Sequence, residues 1–193
     1  MKKISVLLTI GSVVCFAIMV TSCRKEWEGA QTKNSDSLFL GISLGMEDRA
    51  FYKHCWDLNK QKILTHGPTN QNVEYHLTNA LEDSVIMRFY PSFHEGKIYE
   101  MPVTFTYDKW APWNKRYWAD SLLVDMVGVF KKWYGGEFRE MDHPVQGKVY
   151  VRFDGKRRIN LFKKDDQFVM AVFTDMKVAE ALKNQQKKEN EQK

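Results

Sequence analysis

The stretch Lys148-Val149-Tyr150-Val151-Arg152-Phe153-Asp154-Gly155-Lys156-Arg157-Arg158-Ile159-Asn160-Leu161-Phe162 decides the fold. Residues 148–153 and 158–162 are rich in β-branched and aromatic side chains, and Asp154-Gly155 between them is a strong hairpin signal. A hairpin makes the pair antiparallel. A third strand signal, 168–174, follows closely. Immediately upstream, 119–134 reads as a helix with Leu122, Met126, Val129 or Phe130, and Trp133 on one apolar face. Asp120 lies near its start, and Gly135-Gly136 supplies a left-handed stop.

The same order recurs toward the N-terminus. Residues 47–62 read as a helix, with Phe51, Cys55 and Leu58 on one face and Glu47 and Asp48 at the positive end of its dipole. His66-Gly67-Pro68 breaks the chain, and strand signals follow at 73–78, 85–90 and 98–107, with Glu95-Gly96 as a turn. The third strand of each set ends on Phe-Thr: Phe105-Thr106 and Phe173-Thr174. The expected fold is therefore α+β. It comprises two helix-strand-strand-strand halves forming one antiparallel sheet of about six strands, with helices on one face. A duplication relating 38–108 to 109–175 would give this order. A C-terminal helix starts at Met176, and 183–193 reads as a polar tail that frays from Asn184. Residues 38–182 form the expected domain, entered through the apolar run 38–44.

A different pattern precedes the domain. Lys2 and Lys3 open an apolar run from Ile4 to Val20, and Val20-Thr21-Ser22-Cys23 closes it. This resembles the lipobox of bacterial lipoprotein precursors. The resemblance implies that 1–22 is a signal peptide, that Cys23 carries diacylglycerol on its sulfur and a palmitate-type acyl chain on its freed amine, and that 23–37 is a tether. Each buried methylene adds about 0.8 kcal/mol, so two or three chains hold such a protein on a membrane where one would not. Arg24 in place of an aspartate favours the outer membrane by the sorting rule of some Gram-negative bacteria. Lys25 and Glu26 loosely resemble a surface-display signal of Bacteroidota. Two other readings stay open: an uncleaved membrane helix, for which about 17 residues is the lower limit, and an ordinary secretory signal cut near Thr21.

The charge balance fits an envelope protein better than a nucleic-acid binder. The chain is formally +5, from 29 basic and 24 acidic residues. Lys2, Lys3 and the lysine-rich tail supply +4 of this, so the folded body is near neutral and no nucleic-acid partner is expected. With Cys15 in the signal and Cys23 lipidated, Cys55 is alone, and the fold must rest on its core rather than on a disulfide. Six Trp, eight Tyr and twelve Phe supply that core.

A second resemblance covers 38–175. Leu44-Gly45-Met46-Glu47 opening a helix before a three-stranded sheet is similar to a fold shared by small outer-membrane assembly lipoproteins and secreted β-lactamase-inhibitor proteins. The Tyr134-Gly135 helix ending is similar to that of uncharacterised Bacteroidota lipoproteins. This resemblance implies binding rather than catalysis and transfers no site residue.

Chemical motifs are sparse. His54, Cys55, His66, His76, His94 and His143 do not share the spacing of a zinc site, so no metal or cofactor is expected. Cys55 lies mid-helix on an apolar face, far from the helix N-terminus that activates a thiol, and no Gly-x-Ser-x-Gly elbow occurs. Glu82-Asp83 and Asp165-Asp166 read as solvated turns. The remaining candidate is the aromatic stretch from Tyr107 to Trp118, in which Trp110, Trp113, Arg116, Tyr117 and Trp118 could form a recognition platform. The competing expectation is that Trp110 and Trp113 fold back to cap the sheet while Trp118 starts the helix. The expected function is that of a non-catalytic, lipid-anchored envelope protein that binds a protein partner through its sheet or this loop. A glycan- or peptidoglycan-binding lipoprotein is the alternative, and a hydrolase with a dispersed site is the third.

Overall fold

A computed structural model of the protein describes residues 36–68 and 72–191. Cys23, the rest of the lipobox and almost all of the tether lie outside the described residues. The elements run α1 (Asp48–Lys60), β1 (Thr65–His66), β2 (Val73–Leu77), β3 (Val85–Phe89), β4 (Ser92–His94), β5 (Lys97–Tyr107), a short 3-10 turn (Lys115–Tyr117), α2 (Ala119–Tyr134), β6 (Arg139–His143), β7 (Gly147–Asp154), β8 (Arg157–Lys163), β9 (Val169–Asp175) and α3 (Met176–Glu191). The fold is α+β, with a single sheet in the order β1-β2-β3-β5-β9-β8-β7-β6 and β4 alongside β5. Every pairing is antiparallel. Each half is laid out in chain order, and the halves meet through their last long strands, β5 and β9.

Alternation builds the core. In β3, β5, β8 and β9, every second residue is buried: Val85, Met87 and Phe89; Met101, Val103 and Phe105; Ile159 and Leu161; Val169, Ala171 and Phe173. Against this face α2 lays Leu122, Met126, Val129 and Phe130. The Phe130 ring lies 5.8 Å from that of Phe105 and 5.9 Å from that of Phe173. From α1, Phe51 enters the same core with Phe93 and Tyr90 edge-on. Residues 38–44 form a loop closed by the Ser37–Ser43 bridge, and it buries Leu38, Phe39, Ile42 and Leu44.

Both hairpin signals mark real turns, though one is displaced. Glu95 and Gly96 are the two loop residues between His94 and Lys97, both with positive φ. In the other, Asp154 pairs with Arg157, so the loop is Gly155-Lys156 rather than Asp154-Gly155, with Gly155 at φ 59°. Helix α2 ends at Gly135 (φ 70°), and a Cβ on Gly136 would collide with the Arg152 guanidinium. Helix α3 continues to Glu191, past Asn184 where fraying was expected. The Asp175 carboxylate caps it, accepting from the backbone N–H groups of Lys177 and Val178.

A polar knot ties Asp36, Ser37 and Leu38 to β8, its turn and α2. Arg157, 1% exposed, donates to Asp154 at 2.6 Å and to the Ser37 carbonyl, with its guanidinium 5.0 Å from the Tyr134 ring centre. Tyr134 in turn donates to the Leu38 carbonyl at 3.0 Å. Lys156 bridges Asp36 and Asp175 at 3.2 and 3.0 Å.

Candidate binding site

The five aromatic and basic residues singled out from the sequence lie together at one end of the sheet, but in different environments. After β5, Trp110 bends back and packs half-buried against the core. Trp113 does the opposite: it is 85% exposed and caps nothing. Asn114 accepts from the Arg116 backbone N–H and starts the 3-10 turn that carries Arg116 and Tyr117. Trp118 is the N-cap residue of α2, half-buried, with the Lys115 ammonium 5.7 Å from its ring. Of the packing expectation, Trp110 and Trp118 follow it and Trp113 departs from it. The indole N–H groups of Trp110 and Trp118 are buried and meet no acceptor among the described residues. A bonded acceptor at either position would recover a desolvation cost of about 1–3 kcal/mol.

Beside this loop is a cleft of about 200 Å³ lined by Leu81, Glu82, Asp83, Tyr107, Arg116, Tyr117, Ser121 and Asp125. Tyr107, at the end of β5, Arg116 and Tyr117 belong to the aromatic stretch. The rest comes from the β2–β3 connection and the first turns of α2. Asp83 is the hub: it accepts from Lys109 at 2.8 Å and lies 3.7 Å from Arg116, with Glu82 3.9 Å from the same guanidinium. The Lys109 ammonium holds the Asp83 carboxyl below the usual carboxylate range, and Arg116 and the Tyr117 hydroxyl act in the same direction. Arg116 also stacks 5.6 Å from the Tyr117 ring, which meets Tyr107 edge-on at 5.4 Å. Deeper in, the Tyr107 hydroxyl donates to Asp125 Oδ2. Burial, then that bond, pushes the Tyr107 phenol well above its ordinary value.

The cleft therefore offers aromatic faces, the Arg116 guanidinium, Asp83 paired with Lys109 and Arg116, and Asp125 bonded to the Tyr107 hydroxyl. Ser121 is the aliphatic hydroxyl in its lining, beside the phenols of Tyr107 and Tyr117, and no imidazole lines it. This arrangement can hold a polar or aromatic group of a ligand. Glu82-Asp83 reads in the sequence as a solvated turn. Glu82 is, at 90% side-chain exposure, whereas Asp83, at 14%, is held inside the ion-pair cluster. Tyr107 opens the aromatic stretch but was not among its five singled-out residues, and Ser121 and Asp125 were not anticipated. The available signal was Ser121 and Asp125 spaced i, i+4 on α2.

Elsewhere, the titratable groups serve structure. His54 Nε2 pairs with the Leu40 carbonyl at 2.6 Å, His76 with Glu74 at 3.0 Å, and His143 Nδ1 accepts from the Val145 and Gln146 backbone. Burial in α1 pushes the Cys55 thiol up to about 11, which suits packing. Asp165 accepts from the Gln167 and Phe168 backbone, and Asp166 pairs with Lys163. Among the described residues no group of three or more His, Cys, Asp or Glu is arranged to hold a metal ion, and no helix is long and apolar enough to cross a membrane.

Compared with protein families, curated proteins and solved structures, the chain matched none.

Proposed function

We propose that the chain is a lipid-anchored protein of the bacterial cell envelope, attached through Cys23 to the outer membrane, whose loop 110–118 binds a protein partner without catalysis. The observation that carries the binding part is the contrast within the loop. Trp113 projects 85% exposed from a segment held by Trp110, Tyr117 and Trp118, with Arg116 and Tyr117 lining the adjoining cleft. Trp, Tyr and Arg are the residue types that dominate protein–protein hot spots. A large exposed indole on a fixed loop offers contact area at small ordering cost. The lipobox pattern of Val20-Thr21-Ser22-Cys23 supports the anchor.

Two alanine variants test the binding part. Trp113→Ala should leave the melting temperature unchanged and abolish partner binding, while Trp110→Ala should lower the melting temperature. Retained partner binding by Trp113→Ala would remove the loop from the interface. For the anchor, radiolabelled palmitate should enter the chain and not a Cys23→Ala variant; equal labelling of both would contradict it.

A further inference from the structure

A second exposed aromatic surface lies on α1, away from the cleft. Tyr52 is 48% exposed and Trp56 58%, spaced i, i+4 on the helix face that turns away from Phe51, Cys55 and Leu58. Tyr90, 43% exposed, extends the patch through a 2.8 Å bond between its hydroxyl and that of Tyr52, and Ile63, 39% exposed, follows the helix end. The rings are fixed from below: Tyr52 packs on Phe51 and Phe93, and Phe51 on Tyr90. Nothing in the core explains why three polar-tipped aromatics stand here in solvent.

Their flanks are basic. Arg49, Lys53 and Lys60 fall along the helix beside the aromatic pair, and Lys62 follows. Residues 48–63 hold four basic groups against Asp48 and Asp57. Asp57 is engaged by Lys53 at 2.7 Å, and the Lys60 ammonium lies 5.5 Å from the Trp56 ring. Tyr and Trp with an apolar body and a wet tip, bordered by Lys and Arg, match the chemistry of a membrane–water interface with anionic headgroups.

We infer that this α1 face, centred on Tyr52, Trp56 and Tyr90, rests on the anionic lipid surface to which the chain is anchored. The inference rests on the lipid-anchor reading of Cys23. Reach permits it. The tether joins the fold at Asp36–Ser37, clamped by Lys156 and Arg157, and Leu40 already touches α1 through His54. Thirteen residues from Cys23 to Asp36 span at most roughly 45 Å, several times the thickness of the helix that separates His54 from the aromatic face. Seated this way, α1 sets which side of the domain meets the bilayer and turns its other surfaces toward a partner.

The test uses the lipidated full chain in a Trp27→Phe background, reconstituted into vesicles of phosphatidylethanolamine and phosphatidylglycerol with brominated acyl chains, which quench nearby indoles. Trp56→Phe should remove at least half of the emission lost to bromine, and Trp113→Phe should leave that loss unchanged. Melting temperatures of both variants should match the parent. A protein that pellets with the vesicles but whose quenching is unaffected by Trp56→Phe overturns the seating of α1 while leaving the anchor intact. That result would assign the patch to a protein partner or a second copy. A protein that fails to pellet at all overturns the anchor reading and this inference with it.

Discussion

Val103 faces Ala171 in the β5–β9 pair that joins the two halves of the sheet. Phe105 and Phe173 each lie two residues beyond this point on their own strands, and both reach Phe130 of α2. One helix residue thus spans the seam, and the halves share a core.

Replacing Phe130 with alanine should therefore destabilise the whole domain by about 3–5 kcal/mol. Urea unfolding followed by circular dichroism and by tryptophan emission should stay a single coincident transition. Two separated transitions would show halves that fold independently.

Arg157 is a buried cation held by one carboxylate, one carbonyl and one ring. Arg157→Gln should cost roughly 3 kcal/mol, because Asp154 keeps only the longer contact with Arg152, at 4.0 Å, while the Ser37 carbonyl loses its buried donor. The exposed Lys148–Glu140 pair, at 2.5 Å, provides the contrast: Lys148→Ala should cost less than about 1 kcal/mol. Denaturant midpoints measure both.

Cys55 should react slowly. With its thiol pushed up to about 11 by burial, the thiolate at pH 8 is roughly 100-fold scarcer than for a thiol at its ordinary value of 9.0. Iodoacetamide labelling of the folded chain should be slower by at least that factor than labelling in urea, and should accelerate as pH rises toward 11. Equal rates would place Cys55 outside the core.

Alkaline stability follows from the tyrosines. The hydrogen bond with Tyr90, then burial, raises Tyr52 to about 12, and burial raises Tyr107 and Tyr134 further. The folded phenols stay neutral where the unfolded ones ionise, so the unfolded chain releases protons first. Stability should be unaffected by these groups below pH 10 and should fall as pH climbs past it. Urea midpoints between about pH 9 and 11, with phenolate absorbance read alongside, check the sign.

Period-two alternation and turn chemistry made most of the fold legible, and α2 spans the residues its apolar face marked. What escaped were elements with weak pattern: β1 with two residues, β4 with three, and β6, Arg139–His143, exposed throughout. The edge strands β1 and β6 bury no face, and β4, which packs only Phe93 against the core, is too short for a hydrophobic period to announce it. Polar content also hid α3 beyond Asn184, since a helix with no buried residue is written in propensity alone. The cleft was half legible. Tyr107, Arg116 and Tyr117 sat in a conspicuous run, whereas Asp83 and Asp125 come from two other segments that only the fold brings together with it. The aromatic face of α1 was missed because Tyr52 and Trp56 read as ordinary helix residues until their exposure was known.

Photo-crosslinking in the living cell tests partner binding most directly. With p-benzoylphenylalanine in place of Trp113 in the lipidated chain, irradiation should yield one discrete protein adduct. The same substitution at Val124, which is 70% exposed on α2, should yield none, and adding Arg116→Glu should abolish the Trp113 adduct. A chain that is acylated and stably folded yet gives no adduct from position 113, where a known envelope lipoprotein crosslinks to its own partner, would contradict a protein-binding role for the loop.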